Sequence, residues 1–244
     1  MLSLTSEDPL AVAVTAAIRG GDLDGLRRLL AAHPGLAGSR IVKRGEAAGE
    51  RSLLHLAVDW PGHYPRTAEV IRTLVAAGAD PGARFVGAHR ETPLHWAASN
   101  DDVTAIDALV EAGADLEAPG SILGGGAPLA GASGFGQWRA ARRLLELGAR
   151  PTLQGAATLG LLAAVEDAVA AGSDPDEITS AFWGACHGGQ LSTAQYLLSQ
   201  EADINWIGHG GQTPLDMALN SEDNPLVDWL KSAGARTRDE ILNG

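Results

Sequence analysis

One cysteine, Cys186, stands alone among 244 residues, which excludes an internal disulfide and fits a reducing compartment such as the cytoplasm. Lysine is nearly missing as well. Two lysines stand against sixteen arginines, a ratio that reads as GC-rich, bacterial-type coding rather than as a phosphate-binding surface. The 18 basic side chains are outnumbered by 30 acidic ones, for a formal charge of −12, and the arginines are scattered along the chain. With no basic patch to offset the general repulsion, a nucleic-acid backbone is not an expected partner. Apolar runs are short and broken by charge, well under the roughly 20 residues a helix needs to cross a bilayer, so no membrane partner is expected. The first ten residues, MLSLTSEDPL, have no basic segment ahead of the apolar stretch. They read as a helix start, with Ser6 as cap, Glu7 and Asp8 in the first turn and Pro9 where a missing N–H costs nothing, and not as a secretory signal.

Catalytic signatures are missing too. There is no GxSxG, no HExxH and no GK[ST], and the glycine-rich GSILGGGAPL is not followed by the lysine of a phosphate loop. Seven histidines never gather at ligand spacing, so no metal and no cofactor are expected. Cys186 reads as a small core residue.

What is present is repetition. RSLLHLAVDW precedes EVIRTLVAAGAD; ETPLHWAASN precedes AIDALVEAGAD; GAPLAGASGF precedes AARRLLELGAR; SAFWGACHGG precedes TAQYLLSQEAD; QTPLDMALNS precedes LVDWLKSAGAR. Each unit reads as two helices. The first is short and alanine-rich. The second carries an apolar stripe, as in Val103, Ile106, Leu109 and Val110 or Leu191, Ala194, Leu197 and Leu198. A glycine follows each second helix (Gly78, Gly113, Gly148, Gly172, Gly234), where a left-handed cap ends a helix.

Thr92-Pro93-Leu94-His95 and Thr213-Pro214-Leu215-Asp216 resemble the ankyrin repeat signature T-P-L-H-x-A, and Trp183 and Asp216 stand at equivalent positions 33 residues apart, the period of that family. The resemblance implies an all-α chain: a single ankyrin-type α-solenoid over 1–244, of about seven helix-turn-helix repeats joined by short β-hairpin fingers. Its N-terminal capping unit would cover about 5–40 and its C-terminal one about 211–244. Lys231, on a second-helix position that is apolar elsewhere, marks the terminal unit. Three departures stand out. PGHYP (Pro61 to Pro65) is inserted in the second unit, the fifth has no room for a finger, and Glu201 replaces the customary glycine in the sixth.

The resemblance also assigns His55 and His95 to a structural clamp that bonds the helix start. Recognition would then fall on finger tips and first-helix ends: Asp59-Trp60, Ser99-Asn100, Gly134-Phe135, Thr158-Leu159, His187-Gly188 and Asn220-Ser221. Of six tryptophans, Trp138 and Trp229 fall on packing positions, and Trp96 sits where the family buries a leucine. Trp183 occupies the clamp position with either role open, and Trp60 and Trp206 map to exposed recognition positions. The candidate residues form two patches: Trp60, His63, Tyr64, Phe85, His89, Trp96 and Asn100 in the second and third units, and Trp183, His187, Trp206, His209 and Asn220 in the sixth and seventh, with Phe135 a further binding candidate. At about 10 Å per repeat the patches are on the order of 30–40 Å apart, too far to form one active site. The leading reading is a non-catalytic scaffold for a protein or peptide partner on the concave face. The alternative is a small-molecule binder or enzyme whose pocket lies under the Asp59–Arg66 insertion, with Asp59, His63 and His95 as acid and base groups.

Overall fold

The computed structural model describes residues 3–45, 48–219 and 225–243, and divides into two compact units, Met1–Arg150 and Pro151–Gly244. Asn220 and Ser221, expected at a recognition position, lie outside the described residues.

In the first unit, helices pair as the repeats anticipate: α1 (Pro9–Gly20) with α2 (Leu23–Ala32), α3 (Leu53–Ala57) with α4 (Thr67–Ala76), α5 (Pro93–Ser99) with α6 (Val103–Glu111), and α7 (Pro128–Gly134) with α8 (Trp138–Glu146). First helices stack in the order α1, α3, α5, α7, and second helices in the order α2, α4, α6, α8, giving two layers of helix. Between them lies an apolar seam in which Ile18, Leu26, Leu54, Ile71, Leu94, Ile106 and Leu144 are fully buried. Alanines such as Ala97, Ala98, Ala105 and Ala108, also buried, let the helices approach closely.

The second unit repeats the plan with α9 (Leu153–Thr158) and α10 (Leu162–Ala170), α11 (Pro175–His187) and α12 (Leu191–Ser199), and α13 (Pro214–Ala218) and α14 (Pro225–Ser232). Phe182, Cys186, Leu197, Leu226 and Leu230 form its core, with Trp229 packed at the side. A last helix, α15 (Arg238–Asn243), follows the unit that Lys231 was expected to close. The five glycines after second helices all hold φ between 91° and 102°, and Glu201 in the sixth unit takes φ 66°, a left-handed conformation that a side chain adopts only under constraint.

Two expectations need correction. The N-terminal residues do not begin a helix at Ser6. Ser3–Thr5 form strand β1, and the helix cap is Asp8, whose carboxylate accepts the Leu10 N–H at 2.8 Å with Pro9 at the first turn. Strand β1 lies parallel to β2 (Arg40–Lys43), which pairs antiparallel with β3 (Gly49–Ser52). Among the described residues this is the one strand hairpin, so the short β-hairpin fingers expected between the repeats do not form as strand pairs. Elsewhere the described connections are turns, and the strand pairing outside the sheet is a single Glu50–Val86 bridge.

Candidate functional site

The clamps come first, because they decide which aromatic residues are free to recognise anything. Thr92 caps α5, and its backbone N–H donates to Nδ1 of His95 at 3.1 Å. Nδ1 is therefore the bare nitrogen, and Nε2 carries the hydrogen that is donated to the Gly126 carbonyl at 3.2 Å. His55 repeats this: Ser52 N–H reaches Nδ1 at 3.3 Å, and Nε2 donates to the Glu91 carbonyl at 3.1 Å. Glu91 immediately precedes the cap of α5, and Gly126 immediately precedes that of α7. Each ring thus fastens its own helix start and bolts the start of the next repeat. Both imidazoles are buried, which disfavours the charged form. Burial, reinforced by Arg40 and Arg51, lowers the His55 pKa from 6.5 to about 3, and burial lowers that of His95 as well.

Trp183 settles the role that its sequence position leaves open. It is buried in α11 and donates its indole N–H to the Gln212 carbonyl at 2.9 Å, and Gln212 immediately precedes Thr213, the cap of α13. An indole here performs the histidine's inter-repeat bond, without its own-helix bond. Asp216 uses the opposite polarity. Its Oδ2 accepts from Thr213 N–H and Oγ1, both at 2.9 Å, and from the backbone N–H of Arg238, at the start of α15.

Phe85, expected on the recognition surface, is only 5% exposed. Glycine walls make its slot: a Cβ on Gly49 would come within 2.2 Å of the ring, and one on Gly87 within 2.4 Å. His89 covers it, stacked at 4.4 Å, while Trp96 and His55 approach at 5.6 and 6.5 Å. Beneath His89 lies the buried carboxylate of Glu91, with Oε2 3.2 Å from Nδ1 and Oε1 accepting the Ile122 N–H at 2.9 Å. His89, Phe85 and half-buried Trp96 therefore knit the loop ahead of α5 to its neighbours.

In the second unit Trp183 lies near His187 and His209, at 5.7 and 5.3 Å between ring centres, and Trp206 meets His209 at 5.8 Å. Trp206, expected to stand in water, is half-buried, lying so close to Gly208 that a Cβ there would come within 2.4 Å of it.

The insertion is tied down residue by residue. His63 donates its backbone N–H to Asp102 Oδ2 at 2.9 Å and bonds the Asn100 carbonyl through Nε2 at 2.8 Å. Asn100 in turn donates its amide to the Val58 carbonyl at 2.8 Å. Asp59 pairs with two guanidiniums, Arg19 at 2.7 Å and Arg51 at 3.7 Å. The three residues of the acid–base alternative are thus each bound elsewhere: His95 is sealed in its clamp, His63 holds the next repeat, and Asp59 is an ion-pair partner. Among the described residues no group of three or more His, Cys, Asp or Glu could hold a metal, and no helix is long and apolar enough to cross a membrane.

Of the candidate binding residues, Trp60 is exposed, with 79% of its surface in water just past the end of α3, as are Phe135 at 46% and, in the second unit, His209. Beside Trp60, Tyr64 donates its hydroxyl to the Trp60 carbonyl at 3.2 Å, and Arg19 lies 5.6 Å over the Tyr64 ring. Burial of the phenol raises the Tyr64 pKa. Arg19 and Arg51 are the members of this group that sequence reasoning missed. Neither stands at a signature position, and only the stacking of α1 on α3 brings Arg19 to Asp59.

Residues 89–118 match the family model described as Ankyrin repeat. The curated protein fem-1 homolog A is 40% identical over 73 residues in both its Bos taurus and Homo sapiens forms, covering 27% of this chain. The matched segment is only 11% of the length of those relatives. The crystal structure of the human ASB11 ankyrin repeat domain superposes with a TM-score of 0.53 at 18% identity, over 94% of this chain and 99% of that one. The layered helix pairs, the clamped Thr92–His95 segment and these matches together support the helical ankyrin-repeat fold, with residues 89–118 similar to the repeat itself.

Proposed function

We propose that the chain is a non-catalytic scaffold, acting in the cytoplasm, that recognises a protein or peptide partner through the first-helix and finger face of its Met1–Arg150 unit. The anchor is Trp60. Ankyrin-repeat arrays serve generally as protein-interaction scaffolds, and the partner is set by exposed residues rather than by the fold. The observation that carries the reading is the exposure of the largest side chain type at a first-helix end, where core packing has no use for it. Large aromatics left in water beside arginine are the residues that interfaces bury at greatest gain. Phe135 and the exposed finger residues Ile122 and Leu123 extend the same face. His89, Trp96 and Asn100 support it from below, while Phe85 and Trp183, both buried, belong to packing and not to the contact surface.

Affinity capture with the intact protein and with Trp60→Ala tests this directly. A partner retained by the former should bind the variant at least about tenfold more weakly, the scale of an aromatic hot spot. Equal retention would show that recognition lies elsewhere.

A further inference from the structure

Two arginines of the Met1–Arg150 unit carry a buried Nε–H without a hydrogen-bond partner, Arg19 and Arg51. Both turn toward one carboxylate. Asp59 Oδ2 lies 2.7 Å from Arg19 Nη2 and 3.7 Å from Arg51 Nη1, while Oδ1 accepts the Trp60 N–H at 3.1 Å. The other arginine nearby, Arg40, has its own acid, Glu50, at 4.0 Å and a bond to the Arg84 carbonyl. One acid therefore serves two guanidiniums, and a positive charge is left over in a chain whose total is −12.

The guanidiniums are also held in place. Arg19 lies 5.6 Å over the Tyr64 ring and Arg51 5.6 Å over the Trp96 ring. Such stacking orients a planar fork before anything binds, so little freedom is lost on binding. Arg19 is open to approach at 40% exposure, whereas Arg51 is mostly covered at 17%. Trp60, exposed, follows Asp59 in the chain and is tied to it by its backbone N–H.

The Nε–H groups are closed to solvent, so what Arg19 offers a ligand is the exposed edge of its fork, a geometry that suits a carboxylate. We propose that Arg19 and Arg51, with Asp59 holding them, form a receptor for an acidic side chain in an extended segment of the protein partner, whose neighbouring apolar side chain covers Trp60. This rests on the scaffold reading and gives the partner its chemistry: acidic and apolar residues in alternation. The incoming carboxylate meets the open edge of Arg19, and the surplus charge of Arg51 behind it strengthens the attraction.

The test uses the full chain and three capped, fluorescently labelled peptides alternating leucine with glutamate, glutamine or lysine, followed by anisotropy. The glutamate peptide should bind and the other two should not. Raising the salt concentration should weaken binding, since the pairing is partly exposed. Arg19→Gln, on a half-exposed helix end where folding is little affected, and Trp60→Ala should each weaken binding by about tenfold or more. Arg51→Gln should do the same with an unchanged helical circular dichroism spectrum. Equal binding of the glutamine peptide, no binding of the glutamate peptide, or indifference to Arg19→Gln would overturn the proposal. A captured partner whose binding needs Trp60 but ignores Arg19→Gln would keep the scaffold and remove the carboxylate receptor, so the two failures can be told apart.

Discussion

The two units solve one problem, fastening each repeat to the next, with different side chains. In Met1–Arg150 the bolt is imidazole, at His55 and His95. In Pro151–Gly244 it is an indole, Trp183, and then a carboxylate, Asp216. The histidines and Trp183 share a ring N–H aimed at the carbonyl just before the next helix cap. Asp216, which has only acceptors, reaches a backbone N–H instead. What the position demands is a rigid polar tip that meets the neighbouring backbone, not a particular residue. The imidazole alone does both jobs, because one nitrogen accepts from its own cap while the other donates onward. It is also the only one of these three side chains whose neutral form acid can destroy.

The largest expected effect exploits that difference. Unfolded, His55 takes a proton near pH 6.5; folded, it resists until about pH 3. Because the unfolded chain binds the extra proton first, stability falls as pH drops through this window, and the loss is complete below about pH 3. His55 alone would account for on the order of 5 kcal/mol. Urea unfolding between pH 7 and pH 4 should show a shallower acid loss for His55→Gln than for the intact chain. Hydrogen exchange should show amides of α3 losing protection at a higher pH than those around Trp183 in α11. Equal acid responses at the two clamps would break the comparison.

Next comes His95→Leu, which keeps the bulk and strands the Thr92 N–H and the Gly126 carbonyl. Roughly 2–4 kcal/mol of unfolding free energy should be lost, read from the urea midpoint. Trp183→Phe is milder, since the aromatic packing stays and one hydrogen bond goes. About 1–2 kcal/mol is expected, and a change near zero would mean that the indole bond to Gln212 carries no weight. Trp60→Ala sits at the bottom of the stability scale, within about 0.5 kcal/mol, because its ring rests in water. Its effect belongs to partner binding, so calorimetry and capture on the same variant separate the two roles.

Much of this was legible in the sequence. The helix pairs follow from apolar spacing and cap glycines, while the clamp role of His95 comes from the resemblance of Thr92–His95 to the repeat signature. Trp60 stood out as a tryptophan at a helix end that packing does not need. The errors share a cause. Phe85 looked like a finger-tip residue, and Gly49, 36 positions earlier, gave no hint that the two would form a slot. Trp206 looked exposed because its neighbour Gly208 shows no sign in sequence that an indole lies against it. Ser3–Thr5 carry too few residues to announce a strand, and they become one only because Arg40–Lys43 offers an edge. Asp59 and His63 suggested an acid–base pair by closeness in sequence, while Arg19, 40 residues away, claims the acid.

The sequence alone determined that the chain is built of helix pairs with apolar seams, because those features are local: periodicity, caps and turn residues act within a few positions of one another. Only the tertiary structure decided which aromatics are buried and which stay in water, and which arginines share one carboxylate. Burial and charge pairing depend on groups brought together from separate repeats, and no spacing along the chain encodes that distance.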